Sequence, residues 1–388
     1  MGTTIAFLSG KGGSGKTTLA LSVADLLCRC KVKTLLVDCD LSTNGATYFY
    51  ETQLVNRNRS GGIRVISFSR LLNDNSWAET INVLKIASNM DFIPSISSIS
   101  SQHLTDEVMW HDPASEARLQ NFTEWAKKSY EVILFDCQAG YTELLPILLP
   151  LMNVDLFVLE ADSISASAMR SLHLKIGSSL GHAQLYQVFN KATKEEFDIY
   201  SKIVGTFFTN IGTLLFDWKI RQAFSRSQIP DLEYTSAQYG FDLCDICKII
   251  FQGSAILEKL DRFSIQLRYR QLDEKRQQIE EKIYGKTFKR RFRFKKLFSA
   301  VIVCFLFIFI LALFRFDWMT EFFFDLEATY SAILIPVVVA IIGVFGIEIL
   351  EFFFEPRDER RKYERELKNL NWELEKLERQ TKKQEMAD

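Results

Sequence analysis

From residue 1 to about 245 the apolar positions fall into short unbroken runs, separated by segments with helical spacing. Residues 4–9, 34–38 (TLLVD), 131–136 (EVILFD), 155–160 (DLFVLE), 184–189 (QLYQVF) and 212–216 (GTLLF) read as strands. Such runs are short for helices, and they lack the polar alternation of a strand with one wet face. Between the first two, residues 16–30 place Leu19, Val23, Leu26 and Leu27 on one side of a helix. Apolar strands alternating with helices predict an α/β fold, a mostly parallel sheet with helices on both faces.

The pattern changes after residue 250. Residues 255–285 are charged and helical, with Ile256, Leu260, Phe263 and Leu267 at 4-3-4 spacing and Ile279 and Ile283 further on. Residues 356–385 repeat Tyr363, Leu367, Leu370, Leu374 and Leu377 at 4-3-4-3 spacing. Each pattern fits either a coiled-coil seam or an amphipathic helix lying on its own domain. Between them, residues 298–314 hold 17 positions without a charge and residues 328–347 hold 20. At about 1.5 Å per residue each approaches the thickness of a bilayer core, so they predict a two-helix transmembrane hairpin, at about 297–315 and 330–352. The alternative is a pair of buried helices in a soluble domain.

The organisation expected is an ATPase-like α/β domain at 1–250, a charged helical stalk with a basic juxtamembrane segment at 255–296, the hairpin at 297–354 and a coiled-coil-like helix at 356–388. Seven basic and no acidic residues lie between Lys286 and Lys296, whereas the loop at 315–327 carries Asp317, Glu321, Asp325 and Glu327 against Arg315. That asymmetry predicts a multi-pass protein of the inner (plasma) membrane with both termini cytoplasmic, the basic run meeting anionic lipid heads. The two charged helices would then pair as an antiparallel stalk.

Bulk composition adds exclusions. The net charge is −1, so the chain as a whole makes no electrostatic case for nucleic acid, and no specific nucleic-acid partner is expected. Seven cysteines, several in apolar runs, fit reduced thiols better than a disulfide framework. The N-terminus predicts no secretory leader, and Met1-Gly2 lacks the Ser or Thr at position 6 that myristoylation prefers. The four histidines are scattered and suggest no acid–base or metal cluster.

The sharpest chemical signal is Gly10-Lys11-Gly12-Gly13-Ser14-Gly15-Lys16-Thr17-Thr18, which fits G-x-x-x-x-G-K-[ST] between a strand and a helix. Glycines let backbone N–H groups close around phosphate oxygens, and the helix adds its positive end. Lys16 is expected at the β- and γ-phosphates and the Thr17 hydroxyl on Mg²⁺. The cofactors expected are therefore ATP and Mg²⁺.

On these residues the chain resembles the MinD/ParA group of P-loop NTPases with a deviant Walker A motif, whose extra lysine falls at Lys11. TLLVDCDLS resembles the second family motif, with Asp38 closing the strand and Asp40 in the first switch. VILFDCQAG resembles the Walker B strand and second switch, with Asp136 and Gly140, although the family often has Pro where Gln138 stands. NMDFIPS and LEADSISASAMRSL resemble later family elements. Phe189-Asn190-Lys191 sits where relatives contact the base, and FDWKIRQAFSRSQIP would bring Phe216 and Asp217 to the base as well. The resemblance covers about residues 1–240. It implies an ATPase that binds Mg-ATP and forms a homodimer through ATP, switching a protein partner whose identity the sequence leaves open. Lys11 would cross to the partner's nucleotide, Asp40 would orient the attacking water and stand as a possible Mg²⁺ ligand, and Asp136 would hold Mg²⁺ through water.

Weaker signals stay open. Cys244 and Cys247 have two-residue ligand spacing, so two copies across a dimer could hold zinc; equally, they are two thiols one turn apart on a helix. Glu348 and Glu351 lie at the end of the second apolar segment and hint at an ion pathway. Rival functional readings are a membrane tyrosine kinase of the bacterial type and a non-hydrolysing nucleotide-dependent scaffold. The kinase usually has the opposite domain order and a tyrosine cluster at its end, whereas here Tyr363 is the only tyrosine after the second span.

Overall fold

Strand β1 (Thr3–Leu8) runs through the middle of the sheet, flanked in parallel by β5 (Val132–Asp136) and β6 (Val154–Glu160). Outward on one side follow β2 (Thr34–Asp38), β4 (Met90–Ile93) and β3 (Leu84–Ala87); on the other follow β7 (Gln184–Ala192) and β8 (Thr209–Leu215). The order is β3-β4-β2-β5-β1-β6-β7-β8, all parallel except the β3–β4 pair. This computed structural model describes residues 1–59, 65–73, 81–96, 113–193, 195–196, 199, 208–229, 237–284 and 361–381 of the chain.

Two faces need two covers, and the alternation along each strand decides which residue goes where. Ile5, Phe7, Leu36, Leu134, Leu156 and Val188 enter one core, beneath α1 (Lys16–Arg29) and α9 (Ala237–Ile250). Ala6, Leu8, Leu35, Phe135, Phe157 and Phe189 enter the other, beneath α5 (Pro113–Ser129) and α7 (Ser163–Ile176). Every residue of β2 and β5 is buried, as a central parallel strand requires. Shorter helices complete this unit: α2 (Gly45–Phe49), α3 (Glu51–Arg59), α4 (Phe68–Asn73), α6 (Leu145–Leu148) and α8 (Trp218–Ser225).

Helix α10 (Ala255–Tyr284) crosses the boundary between two compact units, Met1–Arg268 and Tyr269–Asp388. Its first apolar set, Ile256, Leu260, Phe263 and Leu267, belongs to the core with α1. The 4-3-4 spacing at 256–267 is therefore an amphipathic face lying on the α/β unit. In the second unit, Leu272, Ile279 and Ile283 cluster with Leu370 and Leu374 of α11, the helix at 361–381. Tyr269 donates to Glu378 at 3.0 Å and Lys282 lies over the ring of Tyr363, so the two helices run antiparallel.

The expected membrane location needs correction. Among the described residues no helix is long and apolar enough to cross a membrane. The longest described helix, α10, carries charges throughout its length, so it cannot enter hydrocarbon without burying them. A multi-pass protein of the inner membrane with both termini cytoplasmic is thus not supported. The segments 297–315 and 330–352, the basic run 286–296 and its lipid contact, and Glu348 and Glu351 lie outside the described residues.

Candidate functional site: a phosphate loop with two lysines

The crevice of an open α/β sheet forms at the carboxyl ends of its strands, where neighbouring connections depart to opposite faces. Here α1 leaves β1 toward one core and α7 leaves β6 toward the other. The loop after β1 lies at that divide. Gly13 and Gly15 take φ of 84° and 85°, a left-handed backbone that side-chain-bearing residues rarely adopt. Gly10 is glycine for another reason: a Cβ there would come within 2.5 Å of the Ala168 backbone in α7.

Helix α1 begins without a side-chain cap and without an acidic residue in its first turn. The first N–H groups of a helix have no partner within it and seek acceptors. Left uncapped, these donors face the cleft with the helix's positive end, an arrangement made for an anion. α7 contrasts, because Asp162 caps it by accepting from the Ser165 N–H at 2.7 Å.

A cleft of about 500 Å³ opens over the loop. It is lined by Lys11 through Thr18, with Ser9, Asp40, Thr43, Gln138, Ala139 and Lys191. A second pocket of about 480 Å³ shares Thr18 and Lys191 with it and adds Asn190, Phe216, Asp217, Arg221 and Phe224. The residues anticipated for phosphate and for base thus line adjoining spaces, except Gly10, which packs against α7. Asn190 donates from Nδ2 to the Ser14 carbonyl at 2.9 Å, tying the second pocket to the loop. Asp217 caps α8 through the Lys219 N–H, and Phe216 is half exposed.

Two lysines of the loop have opposite surroundings. Lys16 is buried, with Nζ 2.6 Å from Asp136 Oδ1. Burial pushes its pKa down, but the charge and hydrogen bond of Asp136 outweigh that and hold the ammonium protonated. Lys11 sits on the rim, its side chain 27% exposed, with Nζ 2.9 Å from both Glu160 and Asp162. Hydrogen bonds to Asp162 and Glu160 raise its pKa. Glu160 also accepts from Lys191 at 2.9 Å, so one carboxylate bridges two ammonium groups. Lys191 reaches the Gly13 carbonyl as well, from a backbone φ of 58°.

The carboxylates lie at the ends of adjacent strands, where Asp38 and Asp136 are register partners. Asp38 accepts from the N–H and hydroxyl of Thr47 at 2.8 and 2.7 Å. Burial, then the charge of Asp136, pushes its pKa up to about 7. Asp40 turns back on its own loop, accepting from the Thr43 N–H at 2.8 Å and the Thr43 hydroxyl at 2.6 Å. Asp136 Oδ2 is buried and has no hydrogen-bond partner. That orphaned oxygen, with the Thr17 hydroxyl and Asp40 nearby, fits a hard cation that prefers oxygen ligands. Among the described residues no group of three or more His, Cys, Asp or Glu could hold a metal ion.

Cys244 and Cys247 are buried in the core that also holds Cys30, and burial pushes the Cys244 thiol up to about 12. In this structure both thiols pack within their own chain's core. Thr43, Glu160, Asp162 and Arg221 belong to the site without having been singled out for it. A usable signal exists for Glu160 and Asp162, since carboxylates just past a strand that neighbours the phosphate-loop strand must emerge at the same crevice.

Residues 2–178 match the sequence profile of an AAA domain family, AAA_31. No curated protein matches the chain by sequence. Among solved structures, a plasmid partition protein of Borrelia burgdorferi B31 bound to AMPPNP is 16% identical, with a TM-score of 0.51, covering 64% of this chain and 98% of its own. The septum site-determining protein MinD of Pyrococcus horikoshii OT3, complexed with Mg-ADP, is 18% identical, with a TM-score of 0.50, covering 66% and 99%. A MinC:MinD cell division complex from Aquifex aeolicus matches at 16% identity and a TM-score of 0.50, covering 65% and 97%. At such identities the structural likeness speaks for the fold alone. Residues 2–178 thus resemble the AAA_31 domain family, and the N-terminal α/β unit shares its fold with these plasmid partition and septum site-determining proteins.

Proposed function

We propose that this protein is a nucleotide-dependent switch: it binds Mg-ATP, pairs with a second copy through the nucleotide sites, and hydrolyses ATP to control a protein partner. The observation that carries this reading is the division of labour between the loop's two lysines. Lys16 lies on the floor against Asp136, placed for its own chain's phosphates. Lys11 stands on the rim, where a second molecule could be reached. The relative seen with AMPPNP and the one seen with Mg-ADP support the ligand class, and the MinC:MinD complex supports a protein partner.

The chain's residues then divide the work. Loop N–H groups and the open end of α1 hold the phosphate tail. Lys16 exchanges Asp136 for phosphate oxygens. The Thr17 hydroxyl, with Asp136 and Asp40, would hold Mg²⁺, which supplies charge neutralisation to the phosphates when bound. Asp40 orients the attacking water. Asn190, Phe216 and Asp217 frame the base. Lys11 of the second copy completes the charge stabilisation, so turnover waits on assembly; phosphoryl transfer depends on such positioning and charge more than on covalent help.

Light scattering and phosphate release, measured together in an ATP titration, test this. Dimers with ATP but not ADP, and a rate that rises with protein concentration, are expected. A monomer at saturating Mg-ATP, or no release, would overturn it.

A further inference from the structure

On the rim, Lys11 is engaged with its own chain. Its ammonium is 2.9 Å from Glu160 Oε2 and 2.9 Å from Asp162 Oδ2, both on its own chain. The carboxylates stand at the end of β6 and at the cap of α7. β6 is the neighbour of the loop's own strand, so the fold itself brings them alongside the loop. We propose that Glu160 and Asp162 are positioning residues that park Lys11 on its own subunit while the site is empty, so that nucleotide must outbid them before a dimer forms. This rests on the switch reading above and names how the same site is regulated.

Three features fit that role. The pairs are partly exposed, with Lys11, Glu160 and Asp162 side chains at 27%, 26% and 39%, so water and salt weaken them enough for the hold to be reversible. The acceptors stay charged. Burial pushes Glu160 up, yet hydrogen bonds from Lys11 and Lys191 bring it below the usual carboxylate range, and Asp162 is lowered in the same way by Ser165 and Lys11. Finally, Glu160 and Lys191 both line the second pocket, and Lys191 the phosphate cleft too, so a nucleotide entering this site adds its negative charge beside the carboxylate that holds Lys11. Two exposed ion pairs shift such an equilibrium by about three- to tenfold.

The test is the Glu160→Gln, Asp162→Asn double variant of the full chain. Asn retains the capping role of Asp at the start of α7, and Glu160→Gln alone leaves that cap untouched should the double variant fold poorly. In nucleotide-free protein, competitive acylation with acetic anhydride reads the Lys11 amine against exposed Lys128. About three- to tenfold faster labelling of Lys11 is expected in the double variant, and a smaller rise in the single one. The ATP concentration giving half-maximal dimerisation, divided by each protein's ADP affinity, is expected to fall by a similar factor. Unchanged Lys11 labelling, or an unchanged or higher relative ATP requirement, would overturn the parking role. If the wild type never dimerises with ATP, the switch reading falls and the labelling result alone judges the restraint.

Discussion

The floor and the rim of the cleft hold the same kind of contact, an ammonium against carboxylate, in opposite settings. On the floor, Lys16 and Asp136 are both buried, 2.6 Å apart. On the rim, Lys11 shares two partly exposed carboxylates. Losing one partner of a buried pair strands a charge out of water and costs several kcal/mol, whereas an exposed pair contributes about 0–1 kcal/mol. The floor pair is thus part of the fold, and the rim pair is available for exchange. A loop that must persist and yet respond needs one lysine of each kind.

The largest effect expected on this contrast comes from Lys16→Ala. It removes the phosphate contact and leaves Asp136 buried and unpaired. A fluorescent ATP analogue is expected to bind at least about 100-fold more weakly, and denaturant unfolding to show a loss of about 3 kcal/mol. Equal stability would mean that Asp136 finds water. Next comes Lys11→Ala, which is expected to keep nucleotide affinity within about tenfold and stability within about 0.5 kcal/mol. Its turnover is expected to fall by about a thousandfold, the range seen for charged groups supplied in trans. Normal phosphate release in that variant would erase the distinction between the lysines.

How much of this was legible depends on the kind of residue. Strands β1, β2, β5 and β6 were visible because burial on both faces demands unbroken apolar runs, and their ends agree with the sequence reading within a residue or two. The edge strand β3 was not, since Leu84-Lys85-Ile86-Ala87 is short and only Leu84 is buried. β7 runs on through Asn190 and Lys191 to Ala192, with a register shift against β8 between Asn190 and Ala192. The phosphate loop could be read from spacing alone. The contacts of Glu160, Asp162 and Lys191 with Lys11 and Gly13 could not, because they are made across about 150 residues or more, and a surface charge in a sequence does not announce its partner. The hairpin inferred from residues 298–347 stood on apolar length alone.

A third prediction sharpens the comparison with a buried carboxylate that has no cation. Asp155 is fully buried on β6, neither oxygen has a hydrogen-bond partner, and burial pushes it up to about 7. Its folded value lies above the unfolded one of 3.8, so the native chain binds more protons between about pH 4 and 7. Stability from this source is therefore present below about pH 4 and declines as pH rises to about 7. Asp155→Asn is expected to gain about 2 kcal/mol on the wild type at pH 8 and little at pH 4, read from urea unfolding at both pH values. A pH-independent difference would show that Asp155 finds a hydrogen-bond donor in solution.

The smallest effect concerns salt. Raising NaCl to about 0.5 M shortens the screening length to a few ångströms, which weakens exposed pairs and spares buried ones. Acylation of Lys11 in nucleotide-free protein is expected to quicken about twofold, while Lys16 stays protected. Parallel responses of the two would place them in the same surroundings.

The close approach of Gly10 to α7 has a consequence for how this position can change over time. No codon substitution yields a residue smaller than glycine, so every replacement adds at least one carbon. At position 10 that carbon meets main-chain atoms of Ala168 and Met169, which cannot rotate aside as a side chain could. Drift is closed at this site by the neighbouring helix, whatever the loop binds. A descendant that had lost catalysis but kept this helix against the loop would be expected to retain the glycine.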